Sequence, residues 1–273
     1  MNTANARRLR ASLLLLTCIP FVYPFIFLLG TAVKTEEDFE SNQAGLPDSF
    51  TLDGLHDAWT DARLGTAFGN SLICVSIAVV LTVLLSAGGA FWFLRHKGRL
   101  AATLRVLVIA MMAVPLPAFI IPLFVQLSDW NLGDNLFVLG FVFAGWASPF
   151  GIYLTYTYMK ELPHEVVEAA EIDGASTWQV FWHIMVPLSK PVLTTLAVFA
   201  FVWGWGDLLA GLVLIHEPEL RPLTPATTLL IDVHSSNIPR SAAGVVIAMV
   251  PMLVVFLIGQ RALVRGFVVG VGK

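Results

Sequence analysis

Residues 168–191 read EAAEIDGASTWQVFWHIMVPLSKP, a polar segment with a central glycine between two long apolar runs. The whole chain is 57% hydrophobic and only 13% charged, with a mean hydropathy of +0.78. Soluble domains carry about a quarter charged residues. Apolar runs of about 20 residues are what a helix needs to cross lipid, where no water satisfies exposed backbone groups. The composition therefore predicts an all-α membrane protein.

Six apolar runs are long enough to be membrane-spanning helices. The first follows Arg7, Arg8 and Arg10, so a cleaved signal peptide is the alternative. Its apolar part exceeds the roughly 7–15 residues typical of a signal peptide, and no small-x-small cleavage site follows it. We therefore predict six retained spans, at residues 12–33, 66–94, 104–128, 136–160, 188–215 and 243–264.

The distribution of lysine and arginine predicts the orientation, because basic residues in short loops stay in the cytoplasm. Six spans with a cytoplasmic N-terminus place both termini inside, together with 12 of the 16 basic residues. These are Arg7, Arg8, Arg10, Arg95, Lys97, Arg99, Arg105, Lys160, Lys190, Arg261, Arg265 and Lys273. The first outer loop is acidic, with Glu36, Glu37, Asp38, Glu40, Asp48, Asp53, Asp57 and Asp61. The net charge of −3 averages these two faces and gives no indication of nucleic-acid binding.

The quoted segment has the pattern of two short cytoplasmic helices joined by a turn. Pro163 suits the start of the first helix, and Gly174 suits its C-terminal cap. Ser176 and Gln179 have the spacing of a capping box, which predicts that a second helix begins there. We expect this second helix to end just before Pro187.

Each of these helices presents a distinctive face. The first is lined by the acids Glu161, Glu165 and Glu168. The second carries an aromatic and apolar stripe, Trp178, Phe181, Trp182 and Met185. Helical spacing puts the members of each set on one side. The segment is then either a connector folded against its own spans or a docking element for a cytoplasmic partner.

The same segment resembles the EAA loop of ABC importer permeases. Glu168, Ala169, Ala170 and Gly174 occupy the first positions of that pattern, and Ile184, Val186 and Pro187 the last, with Val186 where leucine is usual. The resemblance extends through residues 68–99, 114–135 and 260–273 to the carbohydrate-importer branch, and specifically to the smaller six-span subunit of the maltose type.

This resemblance implies a type I ABC importer permease fold in a bacterial cytoplasmic membrane. It implies a second permease subunit, two ATPase subunits, an extracytoplasmic solute-binding protein and surrounding membrane lipid as partners. The helix with Glu168, Ala169 and Ala170 would couple to the ATPase, and Gly174 would supply the turn. Asp173 would be a further contact or a cap. Residues 1–65 would precede a transmembrane core at 66–264 with its EAA loop at 161–190, and 265–273 would form a cytoplasmic tail.

Asp207 in the fifth predicted span is the residue that is most costly to place in lipid, so it is a candidate for the substrate pathway. Trp203 and Trp205 flank it, and aromatic rings suit the C–H faces of sugars. The alternative is that the tryptophans pack between helices and Asp207 bonds to the partner permease. Members of the family that this chain resembles commonly have an asparagine where this chain has Gly206. The resemblance therefore does not assign sugar contacts to individual residues here.

The sequence offers no catalytic or metal site. The phosphate-binding pattern GxxxxGK followed by serine or threonine is missing, so the ATP would be used by the separate ATPase, and this chain would bind no cofactor. The six histidines form no HExxH pair. An importer of a non-sugar solute, such as glycerol phosphate or a polyamine, remains an alternative within transport. An intramembrane enzyme is the alternative from another class.

Overall fold

Helices form all the regular structure in the part of the chain that the computed structural model describes, residues 3–231 and 237–271. Lys273, used above for orientation, lies outside these residues. The α-helices in chain order are α1 Thr3–Ala32, α2 Glu36–Ser41, α3 Asp53–Asp61, α4 Leu64–Arg95, α5 Arg99–Met111, α6 Leu116–Asp129, α7 Leu136–Lys160, α8 His164–Ile172, α9 Thr177–Val180, α10 Val186–Leu188, α11 Lys190–Gly206, α12 Leu209–Leu214, α13 Leu223–Ala226 and α14 Ile238–Val271. A π-helical turn, Phe181–Met185, joins α9 to α10, and 3-10 turns lie at Pro218–Leu220 and Thr227–Leu230.

Three of the described helices are long and apolar enough to cross a membrane: α4, α7 and the Ile238–Arg261 part of α14. The count rises to five if two bent pairs are each one span, α5 with α6 and Thr177–Leu188 with α11. Within α1, Leu16–Ala32 is a shorter apolar helix. The all-helical membrane architecture is confirmed, and the first of the six crossings stays a prediction.

The third predicted span, 104–128, is not one continuous helix. α5 ends at Met111, α6 begins at Leu116, and the two are bent by 99° at the break. Pro115 is the N-cap of α6, with an extended backbone at φ −73° and ψ 145°. Proline has no backbone N–H and disfavours the helical conformation of the residue before it, which explains why the chain turns here.

The fifth predicted span, 188–215, is not one continuous helix either. α11 ends at Gly206, and Asp207 takes an extended conformation before the short α12.

The second short helix of the quoted segment also differs from the prediction. We expected it to end just before Pro187, but the helical structure continues through Pro187 to Leu188. The π-helical turn makes this possible, because Val186 N–H bonds to Phe181 O in a wider turn just before the proline, which has no N–H to contribute.

The described chain falls into two units, one within Met1–Gly65 and Ala226–Val250, the other within Thr66–Pro225 and Pro251–Lys273. In the second unit α7 packs against α5 and α11, and α12 packs against α6. Glycine permits the close approach of α7 to α4: a Cβ at Gly140 would lie 2.8 Å from Cys74 O, and one at Gly151 would lie 2.1 Å from Ser86 Oγ. Small residues of this kind let membrane helices pack closely.

Two acids of the predicted outer loop have a structural role in the first unit. Asp38 is buried, and its Oδ2 accepts from the backbone N–H groups of Asp48 and Ser49 at 3.0 and 3.3 Å. Arg240 Nη1 donates to Asp61 Oδ2 at 2.8 Å. These carboxylates therefore order the loop in addition to making it acidic.

Candidate functional site

The first helix of the quoted segment, α8, ends in a hydrogen-bonded glycine turn. Asp173 is its C-cap, and Gly174 follows with φ +84°. Gly174 N–H bonds to Glu171 O at 3.1 Å, and Ala175 N–H bonds to Ala170 O at 2.9 Å. This pair of bonds is the Schellman motif, which requires the left-handed conformation that glycine adopts without cost. The position of the turn predicted from sequence is confirmed.

The second helix begins two residues later with the predicted capping box. Gln179 N–H donates to Ser176 Oγ at 3.3 Å, and Ser176 N–H donates to Gln179 Oε1 at 2.8 Å. The side chains thus satisfy two backbone donors that a helix start leaves without partners. With the Schellman turn immediately before it, only Gly174 and Ala175 separate the two caps, so the angle between the helices is closely constrained.

Buried apolar side chains anchor this pair of helices to the spans. Phe181 packs in a cluster with Ala87, Tyr158, Val192 and Leu193. A second cluster holds Ala90, Met159, Val180 and Met185. The predicted stripe is therefore divided: Phe181 and Met185 are buried, whereas Trp178 is 68% exposed and Trp182 39% exposed.

An arginine at the end of α4 joins the two short helices, and sequence reasoning missed it. Arg95 Nη1 forms an ion pair with Glu171 Oε1, and Nη2 donates to Thr177 Oγ1 at 3.3 Å. Its guanidinium also lies 5.8 Å from the centroid of the Phe91 ring. The planar guanidinium of one side chain thus bonds to both α8 and α9. The sequence feature that could have indicated this ion pair is Glu171, a further acid one helical turn after Glu168.

The predicted coupling residues lie together on this anchored element. Glu168, Ala169 and Asp173 are exposed, and Ala170 is half-buried against the Met159 cluster. Small side chains beside an exposed carboxylate leave α8 accessible to another surface. Ile172, with 86% of its surface accessible, is an exposed apolar side chain on α8 that the sequence analysis did not select.

The three candidate pathway residues do not share one environment. Trp203 is half-buried among aromatic rings of α7 and α11, with centroids 5.5 Å from Trp146, 5.3 Å from Phe150 and 5.6 Å from Phe199. Trp205 is only 1% exposed and stacks on Phe201 at 5.1 Å. Two residues apart on a helix, the tryptophans point in different directions.

Asp207 has a structural role at the break after α11. Its Oδ1 accepts from the N–H groups of Ala210 at 2.8 Å and Gly211 at 3.3 Å, which caps the start of α12. Together with Trp203 and Thr82 it lines a cavity of about 10 Å³, which is too small for a sugar. Asp207 and Trp203 are thus brought together, whereas Trp205 does not line this cavity. The described residues hold no group of His, Cys, Asp and Glu that would bind a metal ion.

Comparison with known proteins identifies the family. Residues 78–269 match the family model "Binding-protein-dependent transport system inner membrane component". The chain belongs to this family. It is therefore a multi-pass permease of the inner membrane, part of a binding-protein-dependent ABC transporter, and not itself an enzyme. The resemblance drawn from the EAA-like segment is confirmed.

The permease is similar to several proteins over most of its length. A putative ABC transporter permease of Caldicellulosiruptor sp. is 33% identical over 92% of this chain and 91% of its own. The diacetylchitobiose uptake permease NgcG of Streptomyces coelicolor is 30% identical over 92% and 83%. The melibiose/raffinose/stachyose import permease MelC of Bacillus subtilis is 27% identical over 100% of both.

A solved structure shows the fold. One chain of a bacterial ABC transporter involved in import of the acidic polysaccharide alginate superposes with a TM-score of 0.81. The identity is 21%, with 96% of this chain and 98% of the other covered. The type I ABC importer permease fold expected from the resemblance is confirmed.

Proposed function

We propose that this permease forms half of the pathway by which a carbohydrate, a monosaccharide, oligosaccharide or related sugar, crosses the cytoplasmic membrane. A second permease subunit forms the other half, two ATPase subunits supply the energy, and an extracytoplasmic binding protein delivers the sugar. Both termini face the cytoplasm. The names of the relatives support a sugar, since NgcG is named for the uptake of diacetylchitobiose and MelC for the import of melibiose, raffinose and stachyose.

The single observation that carries the coupling role is the construction of α8. It is exposed on the side of Glu168 and Ala169, yet it is held by the Schellman turn at Gly174 and by the Arg95 guanidinium. An ATPase movement reaches the membrane helices only through an element that is both accessible and rigid. In this proposal α8, with Glu168, Ala169, Ala170, Asp173 and Gly174, is that element.

Co-purification and uptake test this role. We expect an ATPase and a second permease to accompany the gently purified protein. Gly174→Pro combined with Glu168→Lys should abolish ATP-driven uptake, because proline cannot adopt φ +84°. Glu161→Lys is the control for the charge change, because Glu161, which the sequence pattern placed on the first helix, is the C-cap of α7 and lies outside α8. Unchanged uptake and assembly in the double variant would remove the coupling assignment.

The solute is tested separately. We expect the cognate binding protein to bind a sugar in calorimetric titration. In the permease itself, Trp203 and Asp207 are the first residues to substitute when altered selectivity of uptake is sought. Binding of a glycerol phosphate or a polyamine in place of sugars would keep the permease architecture and overturn the carbohydrate assignment.

A further inference from the structure

A cavity of about 570 Å³ lies in the second unit where the ends of α4 and α7 meet α5 and α8. Four basic side chains line it, and they come from three different places in the sequence: Arg95, Lys97, Arg105 and Lys160. Glu168 and Glu171 are the lining carboxylates. None of the functions above uses Lys97, Arg105 or Lys160.

The cations in this cavity outnumber the carboxylates that neutralise them. Glu171 is already paired with Arg95. Arg105 is half-buried, and its Nη1 donates to Tyr156 Oη at 2.7 Å while the guanidinium lies 5.6 Å from that ring. This hydroxyl carries no charge, and four further N–H donors of the guanidinium remain. Within the described part of the chain, Lys97 and Lys160 have neither an ion pair nor a hydrogen bond from their ammonium groups.

The other walls are apolar, which distinguishes this cavity from a site for a free ion. Phe93 and Met159 are buried, and Phe91, Leu94 and Leu162 are half-buried around it. A ligand that fills the cavity therefore needs an anionic group for the cations and a hydrocarbon part for these walls. The location fits a lipid, because Arg95 and Lys160 are the last residues of two membrane-spanning helices.

We infer that this cavity binds the phosphate headgroup of an anionic phospholipid, with Lys97, Lys160 and Arg105 around the phosphate and the upper acyl carbons against the apolar wall. Basic pockets between membrane helices on the cytoplasmic side hold such headgroups in other proteins. The inference rests on the membrane orientation in the proposed function, which places all four cations inside. Glu168 lines the same cavity, so the lipid would lie directly beside α8.

Lipid retention by the purified transporter complex tests this site. The complex is exchanged into mixed micelles holding phosphatidylglycerol or phosphatidylcholine with identical acyl chains, and native mass spectrometry measures the bound lipid. We expect phosphatidylglycerol to be retained in preference to phosphatidylcholine. Lys97→Gln and Lys160→Gln should each weaken its retention about fivefold, and the double variant about 30-fold.

The control variant is Arg99→Gln, an exposed cation two residues from Lys97 that does not line the cavity. We expect it to retain phosphatidylglycerol as the wild type does. Equal losses in Arg99→Gln and the lysine variants would show general surface attraction and overturn the site. Full retention in the lysine double variant would overturn it as well.

Inorganic phosphate distinguishes the lipid from a free anion. If millimolar phosphate displaces the bound phosphatidylglycerol completely, the cavity is an anion site and the lipid assignment is wrong. Co-purification of the ATPase is scored in the same samples. Its presence in every variant shows that a negative lipid result concerns this cavity and not the proposed transporter.

Discussion

Replacement of Gly174 by alanine tests whether the preformed turn after α8 is what couples this permease to its ATPase. Gly174 has φ +84°, and a Cβ built there meets no atom within 4 Å. The substitution therefore introduces no clash, and its whole cost is the left-handed conformation, about 1–2 kcal/mol for a residue with a side chain. That free energy lowers the equilibrium constant between the native turn and its alternative conformations about 5–30-fold.

The assay is ATP-driven uptake in proteoliposomes, measured against the concentration of added ATPase. If only the native turn docks, the ATPase concentration for half-maximal uptake should rise, by at most about 5–30-fold, because the apparent affinity falls with the fraction of molecules in the native turn. Gly174→Asn should lie between alanine and wild type, because asparagine tolerates the left-handed region better than most residues. Thermal unfolding in detergent is measured in parallel, so that docking is compared well below the unfolding temperature.

Gly98→Ala is the matched control. Gly98 lies in the loop between α4 and α5, an added Cβ also meets nothing within 4 Å, and its φ of −73° suits alanine. We expect this variant to behave nearly as wild type, with a cost below about 1 kcal/mol at the helix N-cap. The reasoning is refuted if Gly174→Ala and Gly98→Ala require the same ATPase concentration.

Substitutions at three further positions separate structural from functional roles. Arg95→Gln removes the ion pair with Glu171. The two side chains are 33% and 39% exposed, so solvent screening limits the loss of stability to roughly 0.5–1 kcal/mol. Hydrogen exchange of α8 should accelerate, and unchanged exchange would contradict the role of Arg95 in holding α8. Trp205→Ala should lower the free energy of unfolding by about 3 kcal/mol because the ring is fully buried, and a variant as stable as wild type in thermal unfolding would contradict this packing role. Asp207→Asn should keep the cap on α12, whereas Asp207→Ala should cost about 1 kcal/mol; the cap is refuted if the two unfold at the same temperature. Reduced uptake by Asp207→Asn at full stability would instead favour substrate contact.

The sequence predicted those features whose causes are local. Ser176 with Gln179 is a capping box in any context that permits a helix, and Gly174 is the residue that a left-handed cap requires. The apolar runs were identified for a similar reason, because lipid imposes the same length on every helix that crosses it. The glycine turn, the capping box and the predicted spans at 66–94 and 136–160 therefore agree with the structure to within two residues.

Breaks within apolar runs were predicted poorly. Hydropathy cannot distinguish a straight helix from a bent pair, since both are equally apolar. Asp207 was selected from the sequence, yet whether a carboxylate, or a proline such as Pro115, bends a helix, ends it or leaves it straight depends on the partners available to the freed backbone groups. For Asp207 those partners are the N–H groups of Ala210 and Gly211, which bind its carboxylate only because the chain turns there.

The amino-acid sequence alone determined that this is a helical membrane protein with a polar, two-helix element held between its spans, because composition, run length and capping chemistry act over a few residues. Only the tertiary structure decided that Arg95 joins α8 to α9, that Phe181 is buried while Trp178 is exposed, and that Lys97 and Lys160 share one cavity. These pairings link residues that are tens of positions apart. Their geometry follows from how whole helices pack, and no local pattern in the chain carries that information.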